Sequence, residues 1–328
     1  MYAMVIHQTG GPEVFSWEEV PTPEPGPGEV RIKVAWAGVN PADWKNRQGM
    51  LAAFRPYTFP CIVGFDAAGT VDALGEGVTG FAPGDRVVTP TNQGQGGPGS
   101  YAEYTLASID KVARVPDGLS LQQAAALPVA ALTAWQGVME RGGVKQGDRI
   151  LIHGGSGGVG SFAVQFAHNA GAEVAATCST PNVDYVKGLG AAEVIDYREQ
   201  DIPDALARWA PDGVDLLVDA VGVSTLPNAL DLLRPGGCLV RIPTLNDDGD
   251  PAAAMAESEQ RGLRQVFSTM DDTDCAAALE RIMAMIISGD IQMPPLETHP
   301  LQQVAEVHRQ LEQGHNRGKI VLSVGQHD

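Results

Sequence analysis

The stretch that decides the fold is Leu151-Ile152-His153-Gly154-Gly155-Ser156-Gly157-Gly158-Val159-Gly160. It contains the pattern G-x-G-x-x-G directly after an apolar strand and at the start of an amphipathic helix. In that context one glycine permits a tight turn, another lets the backbone approach a pyrophosphate, and the third lets helix and strand pack closely. Free N–H groups and the positive end of the helix dipole would then meet the phosphates. The stretch predicts a dinucleotide-binding loop whose contacts come from Gly155, Gly157, Gly158, Val159 and Gly160.

Strands and helices alternate after this loop. Apolar runs predict strands at 149–153, 173–178, 193–197, 214–220 and 238–242, and helical spacing predicts helices at 183–189, 204–209 and 226–233. Repeated βα units at this spacing are typical of a parallel, doubly wound Rossmann sheet in an α/β protein. The alternative for the loop alone is a glycine-rich turn without a ligand, and the surrounding units favour nucleotide binding.

The first third of the chain follows a different pattern. Val30, Ile32, Val34 and Trp36 alternate with polar or small residues, which is the period of a strand with one buried face. Clusters of glycine and proline punctuate this region and favour a barrel or small sandwich. Near the end, helices are predicted at 275–288 and 301–313 and a strand at 319–324. A late strand returning to the first domain would make that domain discontinuous.

Length and charge limit the function classes. The 328 residues suffice for about two domains, and the net charge of −18 disfavours binding to nucleic acid or an anionic membrane. The four cysteines are 117, 60 and 37 positions apart, so they form neither a CxxC zinc pair nor a dense disulfide framework. The beginning of the sequence lacks a secretory signal pattern, and we expect a reduced, cytoplasmic protein.

The end of the second predicted strand bears on the choice of nucleotide. An acidic residue there would bind the adenosine ribose of NAD, but the sequence reads Thr177-Cys178-Ser179-Thr180. Ser179, Thr180 and Asn182 can donate hydrogen bonds to a 2′-phosphate, and each is worth roughly 1.5–3 kcal/mol. No Lys or Arg stands among them. The pattern favours NADP(H).

Together these motifs resemble the zinc-independent quinone oxidoreductase branch of the medium-chain dehydrogenase/reductase superfamily. The matching stretches run nearly end to end: residues 37–43 with Arg47 and Gly49, 64–69, 84–87, 125–135, the glycine loop, Gly236-Gly237 and 318–322. The resemblance implies a GroES-like β-barrel domain from both chain ends (1–126 and 270–328), a Rossmann domain between them (127–269), a cofactor in the cleft and a homodimer.

The resemblance also addresses zinc. In zinc-dependent relatives three side chains hold a catalytic metal, and those positions fall here on Asn40, Phe65 and Val129. Phenylalanine and valine cannot ligate zinc, and asparagine is a poor ligand for it. No cysteine lies between Thr89 and Tyr104, where relatives carry a structural zinc loop. We predict no metal site.

Further site residues are implied by the resemblance. Asn40 is expected to face the nicotinamide and Thr133 to contact the cofactor near its reactive end, while Tyr197 matches a tyrosine that some relatives place against the 2′-phosphate. Asn182 stands where some NADPH-using relatives carry a lysine. Ile242 and Lys319 complete the expected cofactor contacts, and the candidate catalytic residues are Asn40, Tyr101 and Asp43.

Simpler interpretations stay open for several of these. Asp43 and Arg47 are four apart and could form a helical ion pair. Tyr101 could line the substrate pocket or pack in the barrel, Asp66 is expected to support the site structurally, and Lys319 could only close a strand. His153 is expected to be a core histidine with its hydrogen bonds satisfied.

The expected activity is hydride transfer from NADPH to a small, hydrophobic, electrophilic substrate, either a quinone or another conjugated carbonyl. Such acceptors take hydride without a metal polarising their oxygen, and water can supply the proton. Catalysis would then rest on proximity and a dry, oriented site. The alternatives are an enoyl-thioester or alkenal reductase on the same frame and a protein that binds NADPH without turnover.

Overall fold

The computed structural model describes residues 1–54, 56–91, 93, 97–244, 250–270, 273–314 and 316–325. The chain divides into two compact units. The first unit comprises residues 1–130, 274–288 and 295–328, and the second comprises 131–273 and 289–294. The family resemblance implied boundaries at 126/127 and 269/270, without the return of 289–294 to the second unit. That return is held by Gln165 and Asn169, whose side-chain amides donate to the carbonyls of Gln292 (3.1 Å) and Asp290 (2.8 Å).

The first unit is built mainly from antiparallel strands. Its strands are β1 (Tyr2–Ile6), β2 (Phe15–Glu19), β3 (Glu29–Val39), β4 (Cys61–Ile62), β5 (Asp66–Leu74), β6 (Arg86–Pro90), β7 (Tyr104–Ser108), β8 (Ala113–Arg114), β15 (Leu296–Pro300) and β16 (Lys319–Ser323). One sheet has the order β2-β1-β4, and a larger one has the order β15-β16-β3-β5-β6-β8, with β7 also paired to β3. Its helices are α1 (Pro41–Arg47), α2 (Leu121–Ala124), α8 (Cys275–Ser288) and α9 (Val304–Glu312).

The apolar residues that alternate in the sequence of β3 form its buried face. Val30, Ile32 and Val34 point into the core, where Val30 and Ile32 pack with Val71 of β5. The late strand β16 pairs with β3 in antiparallel register, with Ile320 opposite Val39. The C-terminal segment is therefore part of the first unit, which is discontinuous in sequence.

The second unit contains a parallel sheet of the strands β9 (Arg149–His153), β10 (Glu173–Cys178), β11 (Glu193–Asp196), β12 (Val214–Asp219), β13 (Leu233–Arg241) and β14 (Arg264–Phe267). Their order in the sheet is β11-β10-β9-β12-β13-β14. The order reverses between β9 and β12, which is the topological switch point of a doubly wound sheet. Its helices are α4 (Gly158–Asn169), α5 (Val183–Gly188), α6 (Ile202–Trp209) and α7 (Pro251–Gln260), and α3 (Pro128–Trp135) crosses the boundary between the units.

The predicted helix at 226–233 is wrong. Only a 3-10 turn forms at Ala229–Leu232, and β13 begins at Leu233, five residues before the predicted strand. The strand starts early because Leu233 pairs with Val214 of β12, and the register then shifts so that Leu216 faces Cys238. The segment containing Gly236, whose φ is +79°, is accommodated in this irregularity. Pairing of β13 with β12 therefore decides the structure of this segment, although its composition favours a helix.

Residues 121–141 form α2, α3 and a π-helical turn at Gln136–Arg141. The elements α7, β14 and β15 were not predicted. In the described part of the chain no helix is long and apolar enough to cross a membrane.

Candidate active site

The glycine loop of the second unit follows β9 and leads into α4. Gly154 has a φ of +91°, a conformation that side chains rarely adopt. The N–H of Gly155 donates to the carbonyl of Thr177 at 2.8 Å, which ties the loop to β10. A Cβ on Gly160 would lie 2.1 Å from the carbonyl oxygen of Gly154, and one on Gly155 would lie 2.9 Å from the Cβ of Ala176. Glycine at 160 is therefore dictated by close packing of helix against loop.

The start of α4 presents unused hydrogen-bond donors. The N-cap residue is Gly157, and no side chain caps the helix. The first N–H groups of a helix have no intrahelical acceptor, so those of Gly158, Val159 and Gly160 remain available to an anion. This geometry fits a dinucleotide pyrophosphate, since its oxygens are acceptors and its charge is favoured at the positive end of the helix.

His153 ends β9 beneath this loop. Its Nδ1 lies 2.8 Å from the Thr177 hydroxyl and its Nε2 lies 2.9 Å from the Thr225 hydroxyl. The Thr225 hydroxyl donates to the carbonyl of Gly222, so it accepts from Nε2–H. Burial lowers the pKa of His153, and the neighbouring Asp219 only partly opposes this. His153 is a neutral core histidine with both ring nitrogens bonded, as the sequence predicted.

The residues expected at a 2′-phosphate lie at the ends of β10 and β11. Cys178 and Asp196 are paired in register, so Ser179 and Tyr197 follow neighbouring strands at the same sheet edge. Asn182 donates from Nδ2 to the Ser179 hydroxyl at 3.1 Å, and Tyr197 is 44% exposed. Thr180 is exposed in the same turn.

Sequence reasoning overlooked Asp196 at this edge. Its carboxylate accepts from the N–H of Arg198 at 3.0 Å, and its charge adds to burial in raising the pKa of Cys178 to about 11. The adjacent strand β10 carries no acid at its end, so only knowledge of the β10–β11 pairing could have revealed this carboxylate.

Thr133 and Ile242 both belong to the second unit. Thr133 is buried in α3, and its carbonyl accepts from the Ser268 hydroxyl at 2.9 Å. Ile242 follows β13 and donates its N–H to the carbonyl of Asp219 at 3.0 Å. Their contacts with a cofactor stay predictions.

A second polar cluster lies in the first unit around Asn40, the N-cap of α1. The Asn40 side chain donates from Nδ2 to Asp66 at 2.9 Å and accepts at Oδ1 from the Lys319 ammonium. Lys319 also donates to the Val39 carbonyl at 3.0 Å and lies 3.6 Å from Asp66. Asp66 in turn accepts from the N–H of Val129 at 3.0 Å. Asn40 is thereby held in one orientation, and Asp66 has the structural role that the sequence predicted.

Lys319 is engaged within this cluster and is only 4% exposed. Burial lowers its pKa, opposed by the attraction of Asp66 and Asp43, and burial raises the pKa of Asp66, opposed by Lys319. Asp66 accepts hydrogen bonds from Asn40 and Val129 and lies near the Lys319 ammonium, and these three contacts oppose the effect of burial on its pKa. A contact between Lys319 and the cofactor stays a prediction.

Asp43 does not pair with Arg47, and that expectation is wrong. Its carboxylate accepts from the N–H of Asn40 at 2.7 Å and from the N–H of Phe65 at 3.0 Å. Burial, together with the charge of Asp66, raises the pKa of Asp43 to about 7. The helix start needs these acceptors, so the side chain turns back to cap α1 and away from the residue four positions later.

Arg47 instead joins α1 to α9. Its guanidinium lies 3.2 Å from Nδ1 of His308 and 2.5 Å from Glu312, and its Nε donates to the Gly10 carbonyl at 3.0 Å. Sequence reasoning missed His308, because 261 positions separate it from Arg47 and no local pattern marks the contact.

Tyr101 is completely buried in the apolar cluster of this unit, and its hydroxyl lies 3.2 Å from Nε2 of His308. Burial, and then the charge of Asp43, raises the pKa of Tyr101 well above its ordinary value. Burial and the charge of Arg47 lower the pKa of His308 to about 3. Both groups are neutral at physiological pH, and the placement favours the packing interpretation of Tyr101.

Side chains at the zinc-site positions have no metal-ligating pattern. Phe65 is buried, and Val129 is tied through its N–H to Asp66. Within the described ranges, no group of three or more His, Cys, Asp or Glu side chains is arranged to hold a metal.

Known protein families match both the first part and the second part of the chain. Residues 26–117 match the alcohol dehydrogenase GroES-like domain, and residues 189–322 match the zinc-binding dehydrogenase family. The chain is 32% identical to a 2-haloacrylate reductase of a Burkholderia species over 98% of each chain. It is also 32% identical to the human quinone oxidoreductase, over 98% of this chain and 97% of the relative.

A solved structure extends the likeness to three dimensions. A mycobacterial protein complexed with NADPH superposes with a TM-score of 0.88 and 29% identity, covering 99% of this chain and 100% of the other. Three observations agree: the glycine loop lies on a doubly wound sheet, the first unit is GroES-like, and the sequence is similar to a quinone oxidoreductase over nearly the whole chain. The chain therefore belongs to the medium-chain dehydrogenase/reductase superfamily, as a quinone oxidoreductase-like enzyme.

Proposed function

We infer that this enzyme binds NADPH and reduces a quinone or another conjugated carbonyl compound without a metal. The observation that carries the inference is the geometry of the glycine loop. Gly160 packs against Gly154 where no side chain fits, and the uncapped start of α4 offers N–H groups to a pyrophosphate. The solved relative that holds NADPH supports the same cofactor.

When bound, the dinucleotide would supply a hydride, and water would supply the proton that completes reduction of the acceptor. The chain contributes orientation. Asn40, held by Lys319 and Asp66, is the residue that we assign to the nicotinamide, and its carboxamide cannot rotate without breaking both contacts. Tyr101 is neutral and buried, so it acts in packing the site and not as a phenolate base. Catalysis rests on positioning and exclusion of water.

Absence of zinc is part of the proposal because the side chains at Phe65 and Val129 have no donor atom for a metal. Quinones and conjugated carbonyls need no Lewis acid to accept hydride. Stoichiometric zinc in the purified protein, together with activity lost to a chelator, would contradict this part.

The experiment is stopped-flow mixing of the NADPH-loaded protein with 1,4-benzoquinone, with but-3-en-2-one and with 2-chloroacrylate. We expect NADPH absorbance to fall with at least one of the first two. Oxidation by none of the three, despite tight NADPH binding, would identify a binding protein without turnover. Repeating the reaction with NADH measures the cofactor preference.

A second candidate acceptor is a halogenated unsaturated acid. The 2-haloacrylate reductase is similar over nearly the whole chain, and an acrylate is also a conjugated acceptor. The ratios of kcat/KM across benzoquinone, butenone, 2-chloroacrylate and a crotonyl thioester separate this candidate, and the enoyl-thioester reductase, from a quinone reductase.

A homodimer is also proposed. Among the described strands, β14 pairs only with β13, so its outer edge leaves backbone N–H and C=O groups available to a second copy. Light scattering on the purified protein tests this: a mass of one chain at micromolar concentration would contradict it.

A further inference from the structure

Polar side chains form a row across the carboxyl edge of the second unit's sheet. Asp219 of β12 is in register with His153 of β9 on one side and with Arg241 of β13 on the other. Thr177 of β10 extends the row through its hydrogen bond to His153. Paired residues of parallel strands project from the same face, so these four side chains lie on one face of the sheet.

The first three members of the row have partners within the protein. Thr177 accepts from the N–H of Gly154 at 3.0 Å and bonds to His153. Asp219 accepts at Oδ1 from the N–H groups of Val221 (3.0 Å) and Gly222 (2.8 Å). These contacts give the neutral imidazole, the hydroxyl and Oδ1 of the carboxylate partners within the protein.

Arg241 is the exception. Its Nε is buried and has no hydrogen-bond partner, and it is the one charged group with such an atom among the described residues. The same residues provide no carboxylate within ion-pair distance of its guanidinium, since Asp219 is turned to its own loop. A guanidinium remains charged at any physiological pH, so a buried N–H without an acceptor is costly unless a ligand provides one.

The position of Arg241 indicates the ligand. Ligands of doubly wound sheets bind outside the carboxyl ends of the strands at the switch point, which here lies between β9 and β12. Arg241 ends the strand beyond β12, so two strand spacings of about 4.8 Å separate it from the end of β9. A long side chain and a pyrophosphate together span that gap.

The distribution of charge supports the same ligand for Arg241. The chain carries a net charge of −18 and must hold a polyanionic cofactor, while the ammonium of Lys319 is already bonded to Asn40 and Val39. No lysine or arginine stands between Ser179 and Asn182. We propose that Arg241 donates hydrogen bonds to the pyrophosphate of the dinucleotide, opposite the N–H groups of the glycine loop. The proposal rests on the proposed NADPH-dependent function and adds a cation to its site.

The test is calorimetric binding with the wild-type protein, Arg241→Met and Arg241→Lys. The ligands are NADPH, ADP-ribose, which keeps the pyrophosphate without nicotinamide, and adenosine 2′-monophosphate, which lacks the pyrophosphate. Loss of a charge-assisted hydrogen bond should raise the Kd for NADPH and ADP-ribose by roughly ten- to a hundredfold in Arg241→Met. The lysine variant should recover part of this loss, and the affinity for adenosine 2′-monophosphate should stay unchanged.

Arg208→Met is the matched control. Arg208 is an exposed arginine of α6 in the same unit, so its removal changes the net charge equally and should leave every Kd unchanged. Unfolding temperatures of all variants show that the binding losses are measured on folded protein.

The outcomes separate cleanly. Unchanged affinity of Arg241→Met for ADP-ribose overturns the proposal, and if the KM for 2-chloroacrylate rises at the same time, Arg241 binds the substrate carboxylate instead. Equal losses for ADP-ribose and adenosine 2′-monophosphate also overturn it. If the wild-type protein binds none of the three ligands, the proposed NADPH function itself has failed.

Discussion

The two units bury polar groups in opposite ways. In the first unit, Asn40, Asp66 and Lys319 bond to one another, so the cluster is closed and its charges compensate internally. In the second unit, the row at the carboxyl edge ends in Arg241, whose buried Nε has no acceptor in the described protein. A closed cluster fixes a geometry, whereas an open one retains capacity for a ligand. Under the proposed function, the closed cluster positions Asn40 and the open row binds the anionic cofactor.

The largest expected effect comes from opening the closed cluster. Lys319→Met removes the cation and leaves Asp66 buried without its charge partner, which should lower the free energy of unfolding by about 3–5 kcal/mol. The double variant Asp66→Asn with Lys319→Met removes both charges and should recover much of that loss. Urea denaturation of the two variants and of Asp66→Asn completes the cycle. If the losses of unfolding free energy in the two single variants added up in the double variant, Asp66 and Lys319 would not be coupled. The contrast between a closed cluster and an open row would then fail.

A smaller effect concerns the pH dependence of stability. The pKa of Asp43 is raised to about 7 in the folded protein, above its ordinary 3.8, so the folded state binds this proton more tightly than the unfolded state does. The resulting stabilisation is fully present below pH 3.8 and is lost as pH rises through 7. The limiting slope is about 1.4 kcal/mol per pH unit in that window.

Asp43→Asn removes this titrating group, so its free energy of unfolding should lose the pH dependence that Asp43 contributes in this window. Altered hydrogen bonds to Asn40 and Phe65 add an offset that does not vary with pH, so the informative quantity is the slope. Unfolding free energies measured from pH 4 to pH 8 should fall less steeply for the variant. Parallel curves would show that Asp43 ionises at its ordinary pKa and that the cluster is more hydrated than its burial implies.

Local patterns predicted most of the sheet, because strand periodicity and turn residues are encoded within a few positions. The bounds of β9 and β10 coincide with the predicted strands, as do those of α8. The failure at 226–233 arose because pairing with β12, not composition, decides where β13 begins.

The candidate site was only partly readable for the same reason. The glycine loop is contiguous, and its packing agrees with its motif. Contacts between distant positions left no local signal: His308 approaches Arg47 across 261 positions, and Arg241 is distinctive only because its neighbours on the sheet are satisfied without it. Asp43 and Arg47 show the converse error, since a permitted local ion pair was displaced by the need to cap α1.

The smallest expected effect concerns nucleotide binding at the carboxyl edge of the second unit's sheet. Asn182→Lys places a cation beside Ser179, where a 2′-phosphate is expected, and should tighten NADPH binding by about tenfold, or roughly 1.4 kcal/mol, while leaving NADH unchanged. Glu173→Gln with Asp212→Asn is the control: it removes two negative charges from exposed positions at the amino ends of β10 and β12, the opposite edge of the same sheet. Because salt screens charges beyond about 8–10 Å, this control should barely move the Kd. Fluorescence titration of the wild type and both variants with both nucleotides measures the six affinities. If the control variant bound NADPH as tightly as Asn182→Lys does, attraction of the cofactor would depend on the net charge of the protein. The carboxyl edge of the sheet would then not be a local anion site.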